Sequence, residues 1–212
     1  MGDSTTAGTP GWKSPLEAPP DGAGDVTSQY GHWLRKAHPE WEVLNRGVNG
    51  ERSDQIRARF ERDVIEARPA VVVLIAGVND VYQGRPATDV TTELRAMYDR
   101  AAKAGIKVVA GTIIPYNTAT PGQNARMREI NLWIHAQAAA GANVTFVDTR
   151  AAAAAPNDPD RLFESPDGLH PSAAGYRRMA EAVQKVLEKI VGARVSRQDL
   201  PRQSRKLNKP AC

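Results

Sequence analysis

Ala70-Val-Val-Val-Leu-Ile-Ala76, followed at once by Gly77-Val-Asn-Asp80, decides how this chain folds. An unbroken, mostly β-branched apolar run of this length suits a strand buried on both faces, and it is too short for a core-crossing helix. The glycine that ends the run and the Asn-Asp pair behind it supply turn chemistry at the strand's carboxyl end. Three further stretches have the same character and are expected to be strands: Glu42–Val48, Ile106–Ile114 and Asn143–Asp148.

Between these runs lie stretches of helical period. Val26, Tyr30, Trp33, Leu34 and Ala37 share one face. Ile56, Phe60 and Val64 share a second, among alternating charges such as Arg57 and Glu61 that suit a wet outer side. Val90, Leu94, Met97 and Ala101 mark a third, and Met127, Ile130 and Ile134 a fourth. A last helix is predicted from about Ser172 to Val191 on Tyr176, Met179, Ala180, Val183, Leu187 and Ile190. Gly105, Gly141 and Gly192 stand where three of these helices want a left-handed cap. Strands alternating with helices predict an α/β protein, a three-layer α/β/α sandwich with a central parallel sheet, because each parallel crossover needs a helix-length connection. Two Pro/Gly-rich stretches, Thr9–Gly24 and Pro115–Gly122, read as loops over a site.

At 212 residues the chain fits one domain, expected over residues 1–192, with a basic tail over 193–212. The six basic side chains of that tail (Arg194, Arg197, Arg202, Arg205, Lys206, Lys209) face Asp199 alone, a net of +5. The whole chain carries +4, so the other 192 residues carry −1. The charge belongs to a solvated, disordered tail rather than to a basic face, which argues against a nucleic-acid partner. No apolar run is long enough to span a membrane. The opening MGDSTTAGTP lacks the basic and apolar regions of a signal peptide, so the chain as written reads as cytoplasmic. The single cysteine, Cys212, allows no intrachain disulfide.

In an open α/β sheet ligands bind beyond the carboxyl ends of the strands. Asn45-Arg-Gly-Val-Asn-Gly50 closes the first expected strand, Gly77-Val-Asn-Asp80 follows the second, Asp167-Gly-Leu-His170-Pro171 precedes the last helix, and Gly2-Asp-Ser-Thr5 opens the chain. Each has a bland reading: Ser4 as a helix cap, Asn79 as turn chemistry, Gly50 as a positive-φ residue. His170 is one of four histidines, and His32, His38 and His135 read as structural or solvated. Together, however, they supply a hydroxyl nucleophile, a base with a carboxylate three residues before it, and candidate oxyanion donors. That is the inventory of acyl transfer. No GxSxG elbow occurs, which argues against an α/β-hydrolase.

In these four blocks, in this order, the sequence resembles the SGNH (GDSL-type) hydrolase family over roughly residues 1–191. The resemblance implies a flavodoxin-like sandwich and a carboxylic ester hydrolase without cofactor or metal. It implies Ser4 as nucleophile, Asp167 and His170 as the rest of the triad, and an oxyanion hole from Ser4, Gly50 and Asn79. Thr5 departs from the leucine many members carry there.

In the family a strand precedes the first block, whereas only Met1 precedes Gly2 here. The first strand is therefore expected to be truncated, with apolar β-branched residues, and with them a possible secretion signal, upstream of Met1. The substrate is expected to be a small-molecule ester. Short-chain carboxyl esters, acetylated sugars, lysophospholipids and thioesters all stay open, with acyl chains of about two to six carbons preferred. Trp12, Tyr82, Ile114, Pro115 and Tyr116 are the expected pocket walls. Two rivals remain: a catalytically silent binding domain on the same scaffold, and a metal-dependent phosphohydrolase built on Asp3, Asp54, Asp80 and Asp167. The second lacks a dense carboxylate cluster.

Overall fold

The apolar runs become strands where two faces must be covered. A computed structural model describes residues 1–141 and 143–198, of which 193–198 only as backbone. In chain order it contains α1 (Ser4–Ala7), β1 (Trp12–Lys13), β2 (Ala23–Gly24), α2 (Tyr30–Ala37), α3 (Ser53–Ala58), β3 (Val71–Leu74), α4 (Val78–Tyr82), α5 (Ala87–Lys103), β4 (Lys107–Gly111), α6 (Pro121–Ala140), β5 (Val144–Val147), α7 (Thr149–Ala153), β6 (Ala154–Ala155), β7 (Asp158–Leu162) and α8 (Ala173–Gln198). A 3-10 turn over Val26–Ser28 leads into α2, and a π turn over Glu61–Ile65 extends α3.

The central sheet has the order β3-β4-β5 and is parallel throughout. Val71 pairs with Lys107 and Leu74 with Ala110; on the other side Val108 pairs with Val144 and Gly111 with Val147. Side chains alternate across the pleat. Val72, Leu74, Val108 and Ala110 pack into one core with Phe60, Leu94, Met97, Met127 and Ile130. Ile75, Val109 and Val147 pack into a second with Leu34, Tyr176, Met179 and Val183. Helices α3, α5 and α6 thus cover one face and α2 and α8 the other, the expected three layers.

Two expectations need correction. Glu42–Val48 is not a strand: its contact with the sheet is a single parallel bridge between Gly47 and Gly2. A strand needs a partner along its length, and among the described residues this segment is bridged only to Gly2, whose carbonyl also accepts the Val48 N–H at 3.1 Å. Gly2 also bridges Ile75, the Met1 N-terminus donates to Val73 O at 3.0 Å, and the Ile75 N–H donates to Met1 O at 3.3 Å. Of the three predicted caps, Gly105 is left-handed at φ 72°, but Gly141 is extended at φ −134°. Helix α8 runs through Gly192 to Gln198, since the residues after that glycine include good helix formers such as Ala193 and Arg194. The rest of the basic tail, 199–212, lies outside the described residues. Among the described residues no helix is long and apolar enough to cross a membrane.

Candidate active site

Gly2, Asp3 and Ser4 turn from the sheet edge directly into α1. Asp3 caps that turn, its Oδ1 accepting the Thr5 N–H at 2.9 Å, as short polar residues do at helix starts. Gly2 and Gly47 are glycines because the backbones touch here. A Cβ on Gly2 would run into the Ile75 carbonyl and Thr6, and one on Gly47 into the backbone of Thr6 and Ala7. Asn45 fastens the same junction, donating to Ala7 O at 3.0 Å and Gln29 Oε1 at 2.8 Å while accepting the Gly47 N–H at 3.0 Å. Ser4 is consequently recessed, at 3% exposure. The second Asp3 carboxylate oxygen is buried without a partner among the described residues, and burial pushes this carboxyl up to about 7 against the lowering effect of the Thr5 hydrogen bonds.

Gly77 ends the central run at φ 119°, a left-handed conformation, and a Cβ there would also strike Ile113 and Val90. Behind it Asn79 Nδ2 donates to Glu51 O at 2.9 Å, which puts Asn79 beside the residue that follows Gly50. Gly50 needs its hydrogen for conformation rather than space: φ is 78° and nothing crowds its Cβ position. Asp80 is fully buried and structural. It accepts the Ser53 N–H and hydroxyl, each at 2.8 Å, and Arg85 at 3.0 Å, so it anchors the start of α3.

Asp167 and His170 form a closed local unit. Asp167 Oδ2 lies 2.7 Å from His170 Nδ1, while Oδ1 accepts the backbone N–H groups of Leu169 at 2.9 Å and His170 at 2.8 Å. Burial pushes the Asp167 carboxyl up, but the His170 ring and the two backbone donors outweigh it and hold it below the usual carboxylate range. Ser165 Oγ donates to His170 O at 2.7 Å and accepts the Gly168 N–H at 2.8 Å.

Helix α8 connects the two halves. Tyr176 Oη donates to Thr9 O at 2.7 Å, and the Thr9 N–H donates to Ser4 O at 3.2 Å. Burial, then the charges of Asp3 and Asp167, push the Tyr176 phenol up. Among the described residues no hydrogen bond joins Ser4 Oγ to His170. Catalytic hydrogen bonds often tighten only in the substrate complex.

The expected pocket walls divide. Tyr82, exposed, meets Tyr116 edge-on with ring centroids 5.9 Å apart. Tyr116 is buried and its hydroxyl has no partner among the described residues. Trp12 lies in the β1–β2 hairpin with its indole N–H likewise buried and unpartnered among the described residues. Ile114 sits in the core beside Tyr30, Leu34 and Tyr176 rather than on an open wall. The sequence reading passed over Arg59, Glu51, Ser165 and Tyr176. Periodicity marks a charged residue on an amphipathic helix as solvated, and nothing local distinguishes one that folds inward.

Comparison with known proteins agrees with this geometry. The chain is 28% identical over 165 residues to an acetylxylan esterase of Geobacillus stearothermophilus, covering 70% of this chain and 74% of that protein. It is 29% identical over 80 residues to the lipoprotein YqeF of Bacillus subtilis, covering 35% of this chain and about a third (33%) of that curated relative's length. The fold is shared with a solved G-D-S-L family protein from Desulfitobacterium hafniense at a TM-score of 0.72, with 23% identity, covering 88% of this chain and 96% of the other. Residues 1–178 match the profile of the GDSL-like Lipase/Acylhydrolase family. With its first block on the α1 turn and its last on the Asp167–His170 loop, the chain belongs to the GDSL-like lipase/acylhydrolase family of carboxylic ester hydrolases.

Proposed function

We propose that this protein is a serine esterase that cleaves short-chain acyl or acetyl esters through an acyl-enzyme on Ser4. The observation that carries the reading is the Asp167–His170 unit. A carboxylate 2.7 Å from Nδ1 holds the imidazole in the tautomer that leaves Nε2 free as a base.

In this mechanism Ser4 Oγ attacks the acyl carbon while its proton passes to His170 Nε2. The imidazolium is stabilised by Asp167, which keeps its own charge. The carbonyl π pair moves to oxygen, and the oxyanion takes hydrogen bonds from the N–H groups of Ser4 and Gly50 and from the Asn79 amide, which retains a second N–H beyond the one given to Glu51 O. Collapse expels the alkoxide, which takes the proton from His170. Water then repeats the sequence on the acyl-enzyme and frees Ser4.

The recessed Ser4 and the compact Tyr82–Tyr116 pair favour a small acyl group, and the acetyl specificity named for the Geobacillus relative supports the same choice. The test is covalent labelling with a fluorophosphonate, followed by assay of Ser4→Ala on nitrophenyl esters of graded chain length. Label on Ser4, an inactive but folded Ser4→Ala variant, and kcat/KM falling beyond about six carbons are expected. Label on another serine, or preference for long chains, would overturn the reading.

A further inference from the structure

Arg59 ends α3 on a stretch whose alternating charges belong to a solvated face, yet its side chain is only 9% exposed. A buried guanidinium is tolerated only when its donors and charge are matched. Nε donates to Glu51 Oε2 at 2.7 Å. Nη1 donates to Asp63 Oδ2 at 2.7 Å and Arg46 O at 3.0 Å, and also lies 3.4 Å from Met1 Sδ. Nη2 donates to Gly2 O at 3.0 Å, the carbonyl that also accepts the Val48 N–H at 3.1 Å.

These partners are not a random set. Gly2 stands two residues before Ser4. Glu51 directly follows Gly50, and its own carbonyl is the acceptor that holds the Asn79 amide. The Arg46 carbonyl belongs to the loop that ends in Gly50. One rigid plane therefore touches the backbone on which the nucleophile turns, the loop that carries the second oxyanion donor, and the residue that aims the third. The planar fork of arginine can satisfy such divergent acceptors together, which the point charge of lysine cannot.

We infer that Arg59, with Glu51 as its link, is a positioning residue that aims the Asn79 amide, the third oxyanion donor. This rests on the catalytic reading above. Misplacing a preorganised donor lowers kcat with little change in ground-state binding. Arg59 should therefore act on kcat, and it should act through Asn79.

The test compares the full-length wild type, Arg59→Lys, Glu51→Ala, Asn79→Ala and the two corresponding doubles on nitrophenyl acetate, with thermal melting alongside. Arg59→Lys is expected to lower kcat about 10- to 100-fold with KM within about twofold, and Glu51→Ala several-fold in the same direction. On the Asn79→Ala background each should cost less than threefold, because residues that act through one another are non-additive. Equal losses in the presence and absence of the Asn79 amide would mean a purely structural role and overturn the inference, as would an unchanged kcat in Arg59→Lys. Should Arg59→Lys fail to fold, the partly exposed Glu51→Ala carries the same comparison alone. An active Ser4→Ala variant would sink the catalytic reading itself, independently of these cycles.

Discussion

Ser4 and His170, the proposed nucleophile and base, are held in different ways. The turn that carries Ser4 is tied to distant chain: Asn45 holds Ala7 O, Arg59 holds Gly2 O, and the Met1 N-terminus reaches Val73 O across 72 residues. The loop that carries His170 is closed mainly by bonds spanning at most five residues, from Asp167 and Ser165, with one long-range tie where the Asn117 N–H donates to Gly168 O at 2.7 Å. Burial follows the same division. Asp3 and Ser4 are 1% and 3% exposed, whereas the side chains of Asp167 and His170 are 34% and 15% exposed. The Ser4 turn thus depends on several distant segments, and the Asp167–His170 unit chiefly on its own loop. Changes to the packing around Gly2 and Asp3 should therefore show in stability, whereas loss of the His170 ring should show chiefly in activity.

The largest effect expected is that of His170→Ala. Without its base the enzyme should lose about 10⁴-fold or more in kcat. The melting temperature should fall by only about 2–4 °C, the effect of roughly 1 kcal/mol, since the His170 bond to Asp167 is lost but Asp167 Oδ1 still accepts two backbone N–H groups. Steady-state kinetics with a thermal scan decides it, and a large drop in melting temperature would break the comparison.

Next is Asp3→Asn, read as stability against pH. Asp3 is raised to about 7 in the fold and takes an ordinary carboxylate value when unfolded, so between those values the native state binds more protons. Stability then falls as pH rises from about 4 to about 7 and levels off above. Asparagine keeps the acceptor for the Thr5 N–H and is a good cap. The variant should therefore escape that fall, gaining on the order of 4 kcal/mol over the wild type between pH 4 and pH 8. Asp167 has the opposite sign: its lowered value contributes stability above the usual carboxylate range, lost as pH falls through it, and its exposure keeps the contribution small. Parallel stability–pH curves for Asp3→Asn and wild type would refute the assignment.

The smallest effect sharpens the same contrast. Gly2→Ala pushes a methyl group into the Ile75 carbonyl and Thr6. Overpacking of this kind costs about 1–3 kcal/mol, or roughly 2–12 °C in a chain of this size. Melting should fall while the pH dependence of kcat in the folded protein stays unchanged; a wild-type melting temperature would show that the junction can yield.

The four blocks that carry the family resemblance were readable because each is a local pattern tied to local chemistry. The spacing of Asp167 and His170 suffices to place a carboxylate on the far ring nitrogen. The three strands β3, β4 and β5 were readable for a similar reason, since burial on both faces leaves an unbroken apolar run. Glu42–Val48 carries the same signature without becoming a strand. Backbone pairing depends on what lies alongside, and apolarity reports only that a segment is covered.

The sequence by itself determined the class of fold and the hydrolase family, because periodicity, turn residues and short motif blocks act over a few residues. Only the tertiary structure decided that Asp80 anchors a helix, that Ile114 belongs to the core, and that Arg59 turns inward to bind Gly2, Arg46 and Glu51. Those outcomes depend on which distant carbonyls and carboxylates converge on one point, and side-chain type and local period do not encode that convergence.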